Sequence, residues 1–157
     1  MMPKIDISSV PEKAGSIYPD PYAVMMAGRS SLRLGQAGGL TQFGVNLVTL
    51  APGAMSSLRH WNLHEDEFVM VTEGTCILIE DAGETAMTLG DCAAFPANTP
   101  NGHHFINRSD QPAKFLVIGS KASREIATYS DVDLAVEMAD GQANFTYRDG
   151  TPFAGPR

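Results

Sequence analysis

Cysteine is scarce in this sequence: Cys76 and Cys92 are the only two among 157 residues. No disulfide framework can hold such a chain, so a buried core must. Each cysteine lies in an apolar run, TCILI and DCAAF, where a buried free thiol is expected rather than a bridge. Positive charge is also thin, with 11 Lys and Arg against 18 Asp and Glu, a formal net charge of −7. A phosphate backbone or an anionic membrane surface would repel this chain on average, so neither nucleic acid nor membrane is an expected partner. No apolar stretch approaches the roughly 18 residues of a membrane span. The opening MMPKIDISSVPEK has no apolar core followed by a small-residue cleavage site, so no signal peptide is expected. With two unpaired thiols, the expected location is the cytoplasm.

Several catalytic patterns are missing. There is no glycine-rich loop ending in Lys-Ser/Thr, no Gly-x-Ser-x-Gly and no Cys-x-x-Cys, so no organic cofactor is expected. No helix-turn-helix segment fits either, which leaves an effector-domain role without a DNA-reading partner.

What is present describes one folded domain. Hydrophobic residues make up 43% and charged residues 18%, and fifteen glycines with ten prolines favour many turns over long helices. Residues 1–40 are punctuated by Pro3, Pro11, Pro19, Pro21, Gly28, Gly35, Gly38 and Gly39, and read as an irregular N-terminal arm of the same domain. Residues 41–157 read as a β-barrel: short runs such as GVNLVTL, EFVMV, TCILI, ETAMTL, CAAF and KFLVIGS recur between turn signals. Glu73-Gly74 looks like a tight hairpin turn, Asp81–Glu84 like another, and a short helix is expected around Ala122–Ala127.

All four histidines fall in two windows, His60 with His64 and His103 with His104. If RHWN is extended, His60 and Asn62 share a face and Trp61 points away as a packing anchor. The same parity puts His103, Phe105 and Asn107 on one face and His104 on the other, towards solvent or a backbone carbonyl.

These windows carry a family resemblance. His60-x-Asn62, four residues, Glu67, six residues and Gly74 resemble the first cupin motif, with Asn62 where that motif has its second histidine and Gly53 one residue early. Gly90, five residues, Pro96, then His103, three residues and Asn107 resemble the second, with Asn98 in a glycine position and two extra residues before His103. The fifteen residues between the motifs, 75–89, are about the shortest such spacing among cupins, and a wider likeness to small bacterial cupins covers nearly the whole chain.

The resemblance implies an all-β double-stranded β-helix, a jelly-roll barrel, with 1–40 as arm and 41–157 as barrel. It implies a divalent metal (Fe, Mn, Zn or Ni) held by His60, Glu67 and His103, with the Asn62 amide oxygen as a further ligand. Two imidazoles and one carboxylate form a set that suits iron(II) with open positions. His64 and Phe105 are candidate pocket residues, and Asn107 is expected to bind a turn. A small polar or acidic metabolite is the expected ligand, and a homodimer built with the arm is the expected assembly.

Two functions follow. One is an enzyme that oxygenates its substrate or polarises a carbonyl, as an isomerase does. The other is a non-catalytic binding protein in which Asn62 marks a lost metal, leaving His60, Glu67 and His103 as a hydrogen-bonded cluster.

Overall fold

Alternation of apolar and polar residues resolves into thirteen strands across residues 3–157, the part described by the computed structural model; the first two residues of the arm lie outside it. In chain order they begin with β1 (Glu12–Ala14), β2 (Arg29–Arg33), β3 (Phe43–Leu50), β4 (His60–Asn62), β5 (Glu67–Glu73) and β6 (Cys76–Glu80). Then come β7 (Gly83–Met87), β8 (Cys92–Phe95), β9 (His104–Ile106), β10 (Ala113–Ser120), β11 (Arg124–Tyr129), β12 (Ala135–Ala139) and β13 (Gln142–Thr146). No helix among the described residues is long and apolar enough to cross a membrane.

One sheet runs β1-β2-β3-β10-β5-β8, a second β13-β12-β11-β4 and a third β7-β6-β9. An isolated antiparallel bridge between His60 and His103 joins β4 to the segment that enters β9. The two smaller sheets thereby make one interrupted surface across the barrel from the six-stranded sheet. The result is the all-β jelly roll expected from the motifs.

Register fixes which side chains look inward. Lys13 lies opposite Ser31, Ser31 opposite Val48, Val48 opposite Phe115, and Phe115 opposite Val71. Paired antiparallel residues share a face, so one inner surface carries all five. Its centre is apolar: Val48, Leu50, Val69, Val71 and Phe115 pack against Cys76, Leu78 and Phe105 from the third sheet. Each of the larger side chains contributes about 2 kcal/mol by leaving water. A second cluster binds the arm, through Tyr22 and Met26, to Leu58, Tyr129, Leu134 and Val136. The candidate site lies between these two cores.

Four local expectations change. The segment Ala122–Ala127 enters strand β11 instead of a helix, because Glu125, Ala127 and Tyr129 alternate inward and the strand is paired on both sides. Glu73-Gly74 is a crossover between sheets, since β5 pairs with β8 and β10 while β6 pairs with β7 and β9. Gly74 is required there: its φ is +69°, and a Cβ would lie 2.5 Å from the Pro112 carbonyl oxygen. Cys76 is buried as expected, but Cys92 is exposed. The arm, for all its prolines and glycines, supplies β1 and β2, and β2 pairs along its whole length with β3. The expected hairpin at Asp81–Glu84 is present, with β6 and β7 paired from Glu80 and Gly83 back to Cys76 and Met87.

Candidate metal centre

His60 and His103 come from parts of the chain forty-three positions apart, and the backbone itself pairs them. The His60 N–H donates to the His103 carbonyl at 3.2 Å, and the His103 N–H returns to the His60 carbonyl at 2.9 Å. Such a pair places both rings on one face, and their centroids are 5.1 Å apart.

Glu67, the first residue of β5, reaches them from the opposite sheet. Its start is held by its neighbours: the Asp66 carboxylate accepts the Ala97 N–H at 2.8 Å and the Asp66 N–H donates to Ser120 Oγ at 2.9 Å. The loop before it is tied down by buried Glu125, whose carboxylate accepts the Leu63 and His64 N–H groups, each at 2.9 Å. Glu67 Oε1 then sits 3.2 Å from His103 Nε2. One ligand atom from each of His60, Glu67 and His103 lies within 4.8 Å of the other two.

The tautomers follow from the partners. His60 Nδ1 is 2.9 Å from the Leu58 carbonyl, which can only accept, so Nδ1 carries the proton and Nε2 keeps its lone pair. Burial pushes the His60 pKa down, though the Glu67 charge opposes this. Burial would raise the Glu67 pKa, but the His103 hydrogen bond and the two imidazoles outweigh it and hold the carboxyl below its ordinary value. His103 is clamped by Phe95, whose ring stacks 3.5 Å away and 3° from parallel, and its buried Nδ1 has no hydrogen-bond partner among the described residues. A neutral Nε2 lone pair, an ionised carboxylate and a second imidazole make a donor set that fits a divalent cation.

The remaining expected residues fall in distinct places. Asn62 lies two positions beyond His60 on the same strand, lines a small cavity of about 70 Å³ with His103 and Phe95, and also borders a larger one. Its side chain makes no hydrogen bond among the described residues, whereas its backbone carbonyl accepts the Asn98 N–H at 2.9 Å. His64 is held away from the three: its Nδ1 is 2.9 Å from the Arg124 carbonyl and its side chain is 44% exposed. Phe105 is core, with its ring 5.1 Å from Phe115. His104 finds the Ser57 carbonyl at 2.8 Å, and Asn107 braces a turn through Ser109 and Gln111.

The larger cavity, about 560 Å³, opens beside His60 between the β1–β2 end of the first sheet and β4, β11, β12 and β13 of the second. Tyr18 and Tyr129 meet edge to face in its wall at 5.5 Å, and burial raises both phenol pKa values. Sequence reading missed Tyr18 and the cationic residues of this wall because it treated 1–40 as an irregular arm without strands. Their signal was present in RSSLR, where Arg29, Ser31 and Arg33 recur at a period of two. It missed Arg59 as well. That guanidinium bonds Asp131 at 2.9 and 3.0 Å, Asp81 at 2.6 Å and the Gly102 carbonyl at 2.9 Å, so it ties the residue before His60 to the residue before His103. Nothing local in the sequence announces a contact of that span.

Relatives sharpen the picture. The family model described as the Cupin domain matches residues 46–119. A solved structure from Silicibacter pomeroyi, described as a sugar phosphate isomerase from a cupin superfamily, is 56% identical over 98% of each chain, with a TM-score of 0.96. A protein of Acidithiobacillus ferrooxidans, provisionally given the same activity, is 24% identical over 81% of each chain with a TM-score of 0.73. The polyketide cyclase RemF of Streptomyces resistomycificus is 20% identical over 76% of this chain and 80% of its own, at a TM-score of 0.61; these last two share the fold alone. No curated protein matches the chain. Paired histidines across a jelly roll, a carboxylate from the facing sheet and more than half identity to a cupin over nearly the full length place this chain in the cupin family.

Proposed function

We propose that this cupin is a metal-dependent isomerase of a phosphorylated sugar, working where His60 and Asn62 border the larger cavity. The carrying observation is the convergence of His60, Glu67 and His103 beside a space of about 560 Å³. The Silicibacter pomeroyi relative supports the isomerase branch of the expectation over oxygenation. In this reading His60, Glu67 and His103 hold the ion, of Fe, Mn, Zn or Ni type, with Asn62 as a further oxygen donor. A bound divalent cation supplies Lewis acidity that polarises the sugar carbonyl.

The protein's own groups supply the rest. Exchange of an aldose and a ketose moves one proton between neighbouring carbons and another between their oxygens, and so needs a base and a proton donor. Glu67 is committed to the ion in this reading, so the proton is taken by another group or by solvent in the cavity. Tyr18 and Tyr129 keep their protons because burial raises both phenols, and they offer donors to sugar hydroxyls. Asn62 lines the same cavity on the strand paired with that of Tyr129, and its amide N–H groups offer donors to a further hydroxyl. The homodimer belongs to the same reading: Ile17, Val24 and Met25 of the arm are exposed apolar groups that a second copy would cover.

A second reading rests on the Glu67–His103 hydrogen bond, which already satisfies the carboxylate without an ion. There the barrel binds a metabolite and does no chemistry. Elemental analysis of protein purified without chelator, with the Asn62→His variant beside it and a sugar phosphate isomerisation assay on both, separates the two. Stoichiometric metal and turnover support the isomerase; metal in the variant alone makes Asn62 the substitution that emptied the site.

A further inference from the structure

Cations are few in this acidic protein, and most arginines are spent on carboxylates: Arg59, Arg108, Arg124 and Arg157 each bind at least one. The larger cavity departs from that pattern. Arg29, Arg33 and Lys13 all line it, no Asp or Glu does, and among the described residues none of the three has a carboxylate within 4.0 Å.

The grouping is built by register. Arg29, Ser31 and Arg33 alternate along β2, so they share one face. Lys13 lies directly opposite Ser31 on β1, which puts it diagonally between the two arginines on that face. The Arg29 Nε is buried and has no hydrogen-bond partner among the described residues. Burial lowers the Arg29 pKa, and the nearby Arg33 charge adds to that effect, although Tyr18 works the other way. A half-buried guanidinium beside a second cation, with a bare N–H and no acid, is an incomplete arrangement; an anion completes it.

We propose that Arg29, Arg33 and Lys13, with the Ser31 hydroxyl between them, form an anion subsite that takes the phosphate group of the substrate. The anion site stands on these residues alone; that its anion is a substrate phosphate rests on the isomerase reading. His60 and Asn62 lie on the facing wall of the same cavity, so a phosphorylated sugar anchored on β1 and β2 presents its other end to the candidate metal centre. Arg29 supplies planar donors suited to phosphate oxygens, and exposed Lys13 and Arg33 supply charge at the mouth. The subsite also gives the arm a task in the site.

Inorganic phosphate is the probe. Calorimetric titration of the whole wild-type protein should show saturable binding that weakens with added salt. Arg29→Gln should weaken it about tenfold or more, and so should the Lys13→Ala/Arg33→Ala double variant, whose positions are exposed and whose folding is therefore not at stake. Bound metal should be unchanged in both. Absence of phosphate binding in the wild type, or undiminished binding in the double variant, overturns the subsite. Phosphate held by these residues in a protein that isomerises no sugar phosphate leaves the subsite standing and removes the isomerase reading. Turnover with an unaltered KM in both variants does the reverse.

Discussion

His60 and His103 exchange both backbone hydrogen bonds, at 3.2 and 2.9 Å, so the two imidazoles face the same way because their peptide groups are locked together. The candidate centre is thus built on a bridge between two sheets, and whatever disturbs the bridge disturbs the rings. Glu67 depends on separate supports in the opposite sheet.

The bridge is sensitive at Gly102. A Cβ there would lie 1.8 Å from Ser130 Oγ and 2.9 Å from Ser130 Cβ, and the latter cannot swing aside. Gly102→Ala should cost about 1–3 kcal/mol, as overpacking does. Adding Ser130→Gly removes both atoms and should recover most of the loss. Urea unfolding of the three proteins checks this, and equal stability of single and double variants would refute it.

Arg59 joins the two approaches to the centre, and its charge makes that junction depend on pH. Asp131 is held below its ordinary pKa first by its hydrogen bond to Arg59. A depressed carboxyl adds stability above the unfolded value of about 3.9, and that contribution is lost as pH falls through the lower folded value. The melting-temperature gap between wild type and Asp131→Asn should therefore be constant from about pH 5 upward and shrink below about pH 4. Because Asp131 is well exposed, the gap should also narrow at high salt. A gap that widens in acid would contradict the assignment.

The cysteines should differ in reactivity. Cys76 is buried and its thiol is pushed up to about 11, while Cys92 is exposed. Native protein treated with iodoacetamide at pH 7.5 should be alkylated at Cys92, with Cys76 modified only after unfolding. Peptide mass spectrometry decides it; prompt labelling of Cys76 would show that its strand opens.

Truncation of the core should report on the barrel more than on the site. Phe115 is 2% exposed and packs on Phe105, so Phe115→Ala should cost about 3–5 kcal/mol. Elemental analysis at low temperature, where the variant remains folded, should show the same metal content as wild type. Loss of metal in a folded variant would mean the core and the centre are coupled.

Much of this was legible along the chain. Alternation gave β3, β5 and β10 nearly residue for residue, and the resemblance to the cupin motifs pointed to His60, Glu67 and His103, the three groups that meet. The hairpin at Glu73-Gly74 failed because a turn signal says that the chain reverses, not which strand it then pairs with. The helix expected near Ala122 failed because a short stretch with several helix formers is overruled by partners on both sides. Cys92 was misplaced because an apolar run does not tell which end of its strand reaches solvent.

The sequence by itself determined the strand periods and the turns that glycine permits, since these depend on residues near one another, while its likeness to the cupin motifs pointed to His60, Glu67 and His103. Only the tertiary structure decided that His60 opposes His103, that Arg59 spans to Asp81 and Asp131, and that Lys13 joins Arg29 and Arg33 on one wall. Those contacts depend on register between distant strands, which is set by burying a shared apolar face and leaves no mark at either position taken alone.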